Sequence, residues 1–256
     1  MSGSREGRLA DARARIARLE GGRGLSHAVL PFGDPSLDQA LPGGGLPLGR
    51  WHEVLGAGLE AETGAVSAAF VAALASPLAR PGAKGGEVVW VMRRDDLHAP
   101  GVAELGLAPD RLIQVCAPSC SEALMVMEDA LATVGVACVV AEIEALDLTA
   151  GRRLQLACER RGATGLVIRR KPYGGAAARE ITASATRWRI APAPSEPAPG
   201  EFGLGAPRWR VELERCRGGR TGAWLMEKSD GAYPFRVVAE LADHLLAAQK
   251  PLRLAG

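Results

Sequence analysis

Short apolar runs alternate with segments of helical periodicity between residues 51 and 168. Strands are predicted at 51–55, 87–92, 112–116, 136–140 and 164–168, and the fourth is apolar throughout, as expected when both faces of a parallel sheet are covered. Helices are predicted from about residue 65 to Ser76, where Pro77 follows, from a Ser119–Glu122 capping box with Leu124, Met127, Leu131 and Val134 on one face, and over 149–161. This order predicts an α/β fold, a mostly parallel sheet flanked by helices.

The pattern changes towards both ends of the chain. Residues 185–190 alternate like an edge or antiparallel strand, 191–200 (APAPSEPAPG) is predicted to be extended, and 207–226 is predicted to form a hairpin turning at Gly218-Gly219. Helical spacing also predicts amphipathic helices over 4–20 and 236–248. We therefore expect four parts: an N-terminal amphipathic helix in 1–25, a core over 26–191, a Pro-rich linker over 192–206, and a C-terminal hairpin and helix over 207–256.

Composition narrows the class of protein. With 47% hydrophobic and 23% charged residues in 256, the chain is typical of a globular protein rather than a disordered one. The longest weakly charged stretch, 65–79, is too short and mild to span a bilayer, and no secretory signal is visible. Five cysteines without a CxxC pair predict buried thiols in a reducing compartment rather than metal ligands. We expect a cytoplasmic location and no membrane partner.

The net charge of +2 conceals an asymmetry. Residues 1–149 carry 12 Lys/Arg and 19 Asp/Glu, a net −7, whereas residues 150–220 carry 15 and 6, a net +9. A basic block in an otherwise acidic chain predicts a surface for an anionic partner, either nucleic acid or an acidic protein face. A solvated face in an arginine-rich chain is the alternative.

The segment 56–66 has the strand–glycine loop–helix order of a phosphate-binding loop but lacks its chemistry. Gly58 and Gly64 are six residues apart rather than five, and Ala65 and Val66 stand where the Lys and the hydroxyl belong. Glu60 and Glu62 add negative charge, and Ala141 replaces the strand-end Asp that holds magnesium, with Glu142 one place along. We interpret Gly58, Gly64, Ala65 and Val66 as vestigial positions, and no catalytic residue, cofactor or metal is predicted.

The segments Ser36-Leu37-Asp38 and 43–50 (GGGLPLGR), before the strand and glycine loop, resemble the entry to the RecA recombinase ATPase core. Segments 105–112, Glu122-Ala123-Leu124 and Val139-Val140 fit that core in spacing, so the resemblance covers roughly residues 30–170. It implies a RecA-like fold. The departures at the loop Lys, the hydroxyl and the strand-end Asp predict that ATP is not turned over.

A closer resemblance is to the degenerate RecA-like ImuA family, which is related to the cell-division inhibitor SulA. It extends into the C-terminal part, through 186–189 (TRWR), 209–213 and 217–224 (RGGRTGAW). This resemblance implies an adaptor in SOS-induced, error-prone translesion DNA synthesis that acts with ImuB, an inactive relative of Y-family polymerases. RecA, an error-prone polymerase and DNA are further candidate partners. The alternatives are a SulA-like division inhibitor and a DNA-dependent ATPase.

Two basic segments are candidate contacts for DNA or a protein partner. The first is a glycine-rich loop with cations and one aromatic ring, represented by Arg169, Arg170, Lys171, Tyr173 and Arg179. The second is the hairpin, which supplies two of the residue types enriched in interface hot spots, at Trp209, Arg217, Arg220 and Trp224. A solvated turn for the first segment, and core tryptophans backed by surface arginines for the second, are the alternatives.

Overall fold

The computed structural model describes residues 28–80, 86–170, 182–197, 200 and 202–241, without the side chain of Glu62. The helix predicted over 4–20 lies outside these residues, as does most of the helix predicted over 236–248.

A nine-stranded mixed sheet organises the described chain, in the order β11-β10-β9-β8-β3-β7-β6-β4-β5. Six neighbouring strands, from β8 to β5 in this order, are parallel, and β9, β10 and β11 continue the sheet in antiparallel pairing. The strands are β3 (Trp51–Gly56), β4 (Glu87–Met92), β5 (Leu112–Cys116), β6 (Val136–Ile143), β7 (Thr164–Arg169), β8 (Thr186–Ala193), β9 (Arg208–Cys216), β10 (Gly222–Lys228) and β11 (Phe235–Glu240). A separate two-stranded ribbon joins β1 (Val29–Leu30) and β2 (Leu46–Pro47).

Five α-helices are described: α1 (Pro35–Asp38), α2 (Glu60–Ala79), α3 (Ala99–Glu104), α4 (Cys120–Leu131) and α5 (Leu148–Arg161), together with a short 3-10 helix at Pro109–Arg111. The predicted capping box is present at the start of α4, where the Ser119 hydroxyl accepts from the Glu122 amide and the Glu122 carboxylate accepts from the Ser119 amide. α5 begins at an Asp147 cap and ends at Gly162, whose φ of 78° is the left-handed conformation that glycine adopts without strain. None of the described helices is long and apolar enough to cross a membrane.

Each face of the sheet buries its own core. On one face, α2 packs over a cluster rich in aromatic rings, including Phe70, Trp188, Trp209 and Phe235. On the other face, α4 and α5 cover Trp51 and the alternate side chains of β6 and β7. Helices on both faces of a mostly parallel sheet confirm the predicted α/β class.

Several predicted bounds are wrong at the ends of elements. α2 begins at Glu60, not at about residue 65, and it continues through Pro77 to Ala79. Pro77 has no N–H for the Ala73 carbonyl, and the Ser76 hydroxyl donates to that carbonyl at 3.0 Å instead. Val134 lies beyond the end of α4 and is 75% exposed, so it does not share the buried face of that helix.

The last third of the described chain differs more. β8 pairs antiparallel with β9, which confirms one of the two alternatives predicted for residues 185–190. It is not an edge strand, because β3 lies on its other side, and residues 191–193 extend it. Residues 236–240, predicted to begin a helix, lie in β11, which pairs with β10. The hairpin prediction is confirmed, since β9 and β10 are antiparallel and turn at Gly218-Gly219. The division into core, linker and extension stays a prediction.

Candidate functional site

β3 is a switch point in the strand order of the sheet. The strand that follows it, β4, lies on one side of it, and β8 lies on the other side. In open α/β sheets, ligands bind in the crevice outside the carboxyl ends of the strands at such a switch point. A cleft of about 640 Å³ lies at this edge of the sheet, against the first half of α2, α3 and the end of β6. Its lining combines apolar side chains, among them Ala65, Ala68 and Leu105, with charged side chains, among them Glu60 and Arg170.

The connection from β3 to α2 is only three residues long, from Ala57 to Leu59. Gly58 has a φ of 134°, which favours glycine, and the Ala57 amide donates to the Ile190 carbonyl at 2.8 Å. Because α2 starts at Glu60, the predicted loop positions Gly64, Ala65 and Val66 lie within the helix instead of at the end of a loop. The early start has a local reason, since Glu60 places a carboxylate in the first turn, where the helix dipole favours negative charge.

Arg170 occupies the space over these first turns of α2. Its Nε lies 2.9 Å from Glu142 Oε2 and 3.6 Å from Glu60 Oε1, and its Nη1 donates to the Gly64 carbonyl at 2.9 Å. A Cβ added at Gly64 would lie 3.0 Å from Arg170 Nη1, so the missing side chain leaves room for the guanidinium. We call Glu60, Glu142 and Arg170 the Arg170 cluster. Its side chains are between 9% and 16% exposed.

Glu142, the carboxylate nearest to the expected magnesium position, uses both oxygens within the protein. Oε1 accepts from Trp90 Nε1 at 3.0 Å, and Oε2 accepts from Arg170. In the described residues, no group of three or more His, Cys, Asp or Glu side chains is placed to hold a metal ion. The carboxylate therefore orders the cleft wall instead of presenting two open oxygens.

A second ion cluster, not predicted from the sequence, lies inside the sheet. Glu53 of β3 is fully buried, and it accepts from Arg169 Nη1 at 2.6 Å and from Arg187 Nε at 2.9 Å. A carboxylate in the middle of the apolar strand WHEVL was the one available signal, because a buried charge requires a partner. Arg169, predicted as a DNA contact, is 7% exposed and belongs to this cluster, so we assign it to the interior.

His52, the neighbour of Glu53, is buried as a neutral ring. Its Nε2 lies 2.9 Å from the Pro47 carbonyl, which can only accept, so Nε2 carries the proton and Nδ1 accepts from the Thr186 hydroxyl at 2.8 Å. Burial is the main cause that lowers the pKa of His52 to about 4. The ring therefore connects β3, β8 and the segment before β3.

The predicted hairpin contacts separate into two groups. Trp209 and Trp224 are 2% and 1% exposed, and Trp224 Nε1 donates to the Ser36 hydroxyl at 3.0 Å. We therefore assign both tryptophans to the core, the alternative that the sequence left open, and not to a docking surface. Arg217 and Arg220 are exposed at the turn, which is held by backbone bonds from their amides to Ala185 and Ala40.

The remaining predicted contacts are not brought together here. Arg170 is at the end of the described segment, in the Arg170 cluster, with its side chain 16% exposed. Lys171, Tyr173 and Arg179 lie outside the described residues.

The sheet order, with a helix after β3 and a ligand-type crevice at the switch point, defines a RecA-like α/β core. No family model matches the chain. The chain is 58% identical over 246 residues to Protein ImuA from each of two strains of Caulobacter vibrioides, NA1000 and CB 15. The alignment covers 93% of this chain and 100% of the relative. The chain belongs to the ImuA family.

Proposed function

We propose that this chain is a RecA-like adaptor without catalytic activity in SOS-induced, error-prone translesion DNA synthesis. It acts in the cytoplasm with ImuB, an inactive relative of Y-family polymerases, and with an error-prone polymerase; RecA and DNA are further candidate partners. Membership of the ImuA family supports the biological setting. The observation that carries the absence of ATP turnover is the Arg170 cluster, which places two carboxylates and a guanidinium paired with them at the start of α2.

A nucleoside triphosphate needs loop amides, a Lys and a magnesium ion around its phosphates. The short connection 57–59 offers few amides, and neither it nor α2 contains a lysine. A phosphate 4 Å from Glu60 would be repelled by about 4 kcal/mol per charge pair at an effective dielectric constant of 20. The charge of Arg170 is already shared with Glu142 and Glu60, which reduces the attraction that it could offer to a phosphate.

The surface contacts of the adaptor are proposed where cations are exposed. Arg217 and Arg220 at the β9–β10 turn meet this condition, and Lys171, Tyr173 and Arg179 remain proposed contacts from the sequence. Arg169, Trp209 and Trp224 are removed from the set because they are buried.

ATP binding and hydrolysis by the purified chain, with and without single-stranded DNA, test the absence of catalysis. An active recombinase serves as the positive control. We expect no binding and no turnover. Hydrolysis stimulated by DNA would instead support the DNA-dependent ATPase, and binding to the tubulin-like division protein would support the SulA-like alternative.

DNA contact at the hairpin turn is tested with the double substitution Arg217→Ala and Arg220→Ala. If both side chains contact phosphates, the logarithmic salt dependence of single-strand binding falls by about 1.4, since each contact contributes about 0.7. Arg80→Ala combined with Arg210→Ala is the matched control, because both arginines are exposed and neither belongs to the proposed contacts. An unchanged salt dependence in the double variant would remove DNA from the contacts proposed for this turn.

A further inference from the structure

The outward face of α5 carries arginines that no other described residue neutralises. The helix buries Gly151, Leu154, Ala157 and Cys158 against the sheet. On the opposite side, Arg152, Leu156 and Arg160 follow one another at four-residue intervals, which places them in one row along the helix. Arg152, Arg160 and the adjacent Arg161 are exposed and make no ion pair with another described residue.

Other charges on α5 are paired, so the unpaired arginines form a distinct set. Arg153 Nη2 lies 2.7 Å from Glu128 of α4, and Glu159 lies 2.6 Å from Arg50. These two pairs fasten the sides of α5 to its neighbours. The row Arg152–Leu156–Arg160 is left as the outermost part of the helix.

Apolar side chains lie among these cations. Leu156 is 59% exposed in the centre of the row, and Leu148, at the start of α5, is 37% exposed. α4 and α5 both connect successive parallel strands and therefore run in the same direction, and the Glu128–Arg153 pair sets their relative height. Met125, 57% exposed and almost one turn before Glu128, thus comes level with the first turn of α5. We call Met125, Leu148, Arg152, Leu156, Arg160 and Arg161 the α5 face.

The mixture of charge and apolar surface decides which kind of partner fits. A nucleic-acid backbone offers phosphates to the arginines but no apolar group to Leu156 and Met125. Protein interfaces combine an apolar centre with a polar rim and are enriched in Arg and Met. Arg152 and Arg160 are eight residues apart, about 12 Å along the helix axis. Two carboxylates separated by two helical turns, with an apolar side chain between them, would complement this row.

We propose that the α5 face is a docking surface for an acidic amphipathic segment of a protein. Asp or Glu side chains of that segment lie opposite Arg152 and Arg160, and an apolar side chain covers Leu156. This inference rests on the proposed adaptor function and assigns the segment to the polymerase-like partner, ImuB.

Calorimetric titration of the full-length chain with purified ImuB tests the assignment, and the same variants are titrated with single-stranded DNA. Arg152→Glu combined with Arg160→Glu is expected to weaken ImuB binding by about tenfold or more, as for a hot spot. Leu156→Ser is expected to weaken ImuB binding without changing DNA binding, and Leu156→Met to retain ImuB binding. Arg80→Glu with Arg210→Glu is the control, because it makes the same charge change on two exposed arginines that belong neither to the α5 face nor to the contacts proposed above.

Each outcome separates the proposals. If the wild-type protein binds ImuB and the α5 variants bind it with the same affinity, the docking surface is overturned and the adaptor function stands. Loss of DNA binding in the double reversal, with no effect of Leu156→Ser on ImuB, makes the face a nucleic-acid surface and also overturns the inference. If the wild-type protein melts cooperatively but does not bind ImuB, both the proposed partnership and this docking surface are overturned.

Discussion

Glu53→Gln is expected to destabilise the protein strongly, although it keeps the shape of the side chain. Glu53 is fully buried, and its two oxygens accept from Arg169 at 2.6 Å and from Arg187 at 2.9 Å. The amide removes the negative charge but leaves both guanidinium groups in place, where they are 4% and 9% exposed. The variant therefore buries positive charge without its carboxylate.

Breaking one side of a buried ion pair costs about 3–5 kcal/mol, because the remaining charge stays desolvated. In a protein of this size, 1 kcal/mol shifts the melting temperature by about 2–4 °C. The expected shift is therefore about 6–20 °C downwards. The desolvated charge, rather than the lost hydrogen bond alone, makes the effect large.

Urea unfolding followed by circular dichroism measures the loss in free energy of unfolding. Glu159→Gln is the matched control, since Glu159 is 42% exposed and pairs with Arg50 at 2.6 Å. An exposed pair of this kind contributes about 0–1 kcal/mol. Equal free energies of unfolding for the two variants would refute the reasoning, because burial would then make no difference to the pair.

Three further changes test the packing of other positions in the sheet. Trp224→Ala should lower the free energy of unfolding by about 3–5 kcal/mol through loss of a core ring, whereas the fully exposed Phe202→Ala should change it by less than about 0.5 kcal/mol; a Trp224→Ala variant with a native melt would return this ring to the surface. The folded-state pKa of His52 is lowered to about 4, whereas the unfolded value is about 6.5. Between these two pH values the unfolded state binds more protons, so the free energy of unfolding decreases as the pH is lowered. Wild-type protein should lose about 2 kcal/mol more than His52→Gln between pH 7.5 and pH 5, measured by urea unfolding; equal losses would contradict the neutral buried ring. Gly56→Ala should cost about 1–3 kcal/mol, because its Cβ would lie 2.2 Å from Thr63 Oγ1, and an unchanged melting temperature would show that Thr63 moves freely.

Local signals predicted the parallel part of the fold well. The strand at 87–92 is apolar from Val88 onwards, and the helix from 120 to 131 has a capping box and a periodic apolar face. Each of these patterns spans a few neighbouring residues, so the local sequence contains the whole signal. The predicted start of α2 was wrong because the periodic apolar residues begin only after its first turn, which starts at Glu60.

The predictions that were wrong concern strands whose partners are distant in the sequence. For β8 the antiparallel alternative is confirmed and the edge alternative is wrong. The charge of Arg187 fits an edge strand, but the carboxylate that neutralises it inside the sheet is Glu53, 134 residues earlier. The spacing of Val237 and Leu241 fits a helix, but pairing with β10 makes 235–240 a strand. At the cleft, Glu142 could be identified from its position after a strand, whereas the contact of Arg170 with Gly64 spans 106 residues and left no local pattern.

The central position of β3 has a consequence for synthesis on the ribosome. Its neighbours in the sheet begin at residues 164 and 186, and the paired residues Trp51 and Gly165 are 114 positions apart while His52 and Thr186 are 134 apart. At about 5–20 residues per second, the ribosome needs on the order of 6 to 27 seconds to supply these partners. Throughout that interval the nascent chain carries an apolar strand with two unpaired edges, a binding site for chaperones and a site for misassembly. The middle of the finished sheet is therefore the most vulnerable part of the growing chain.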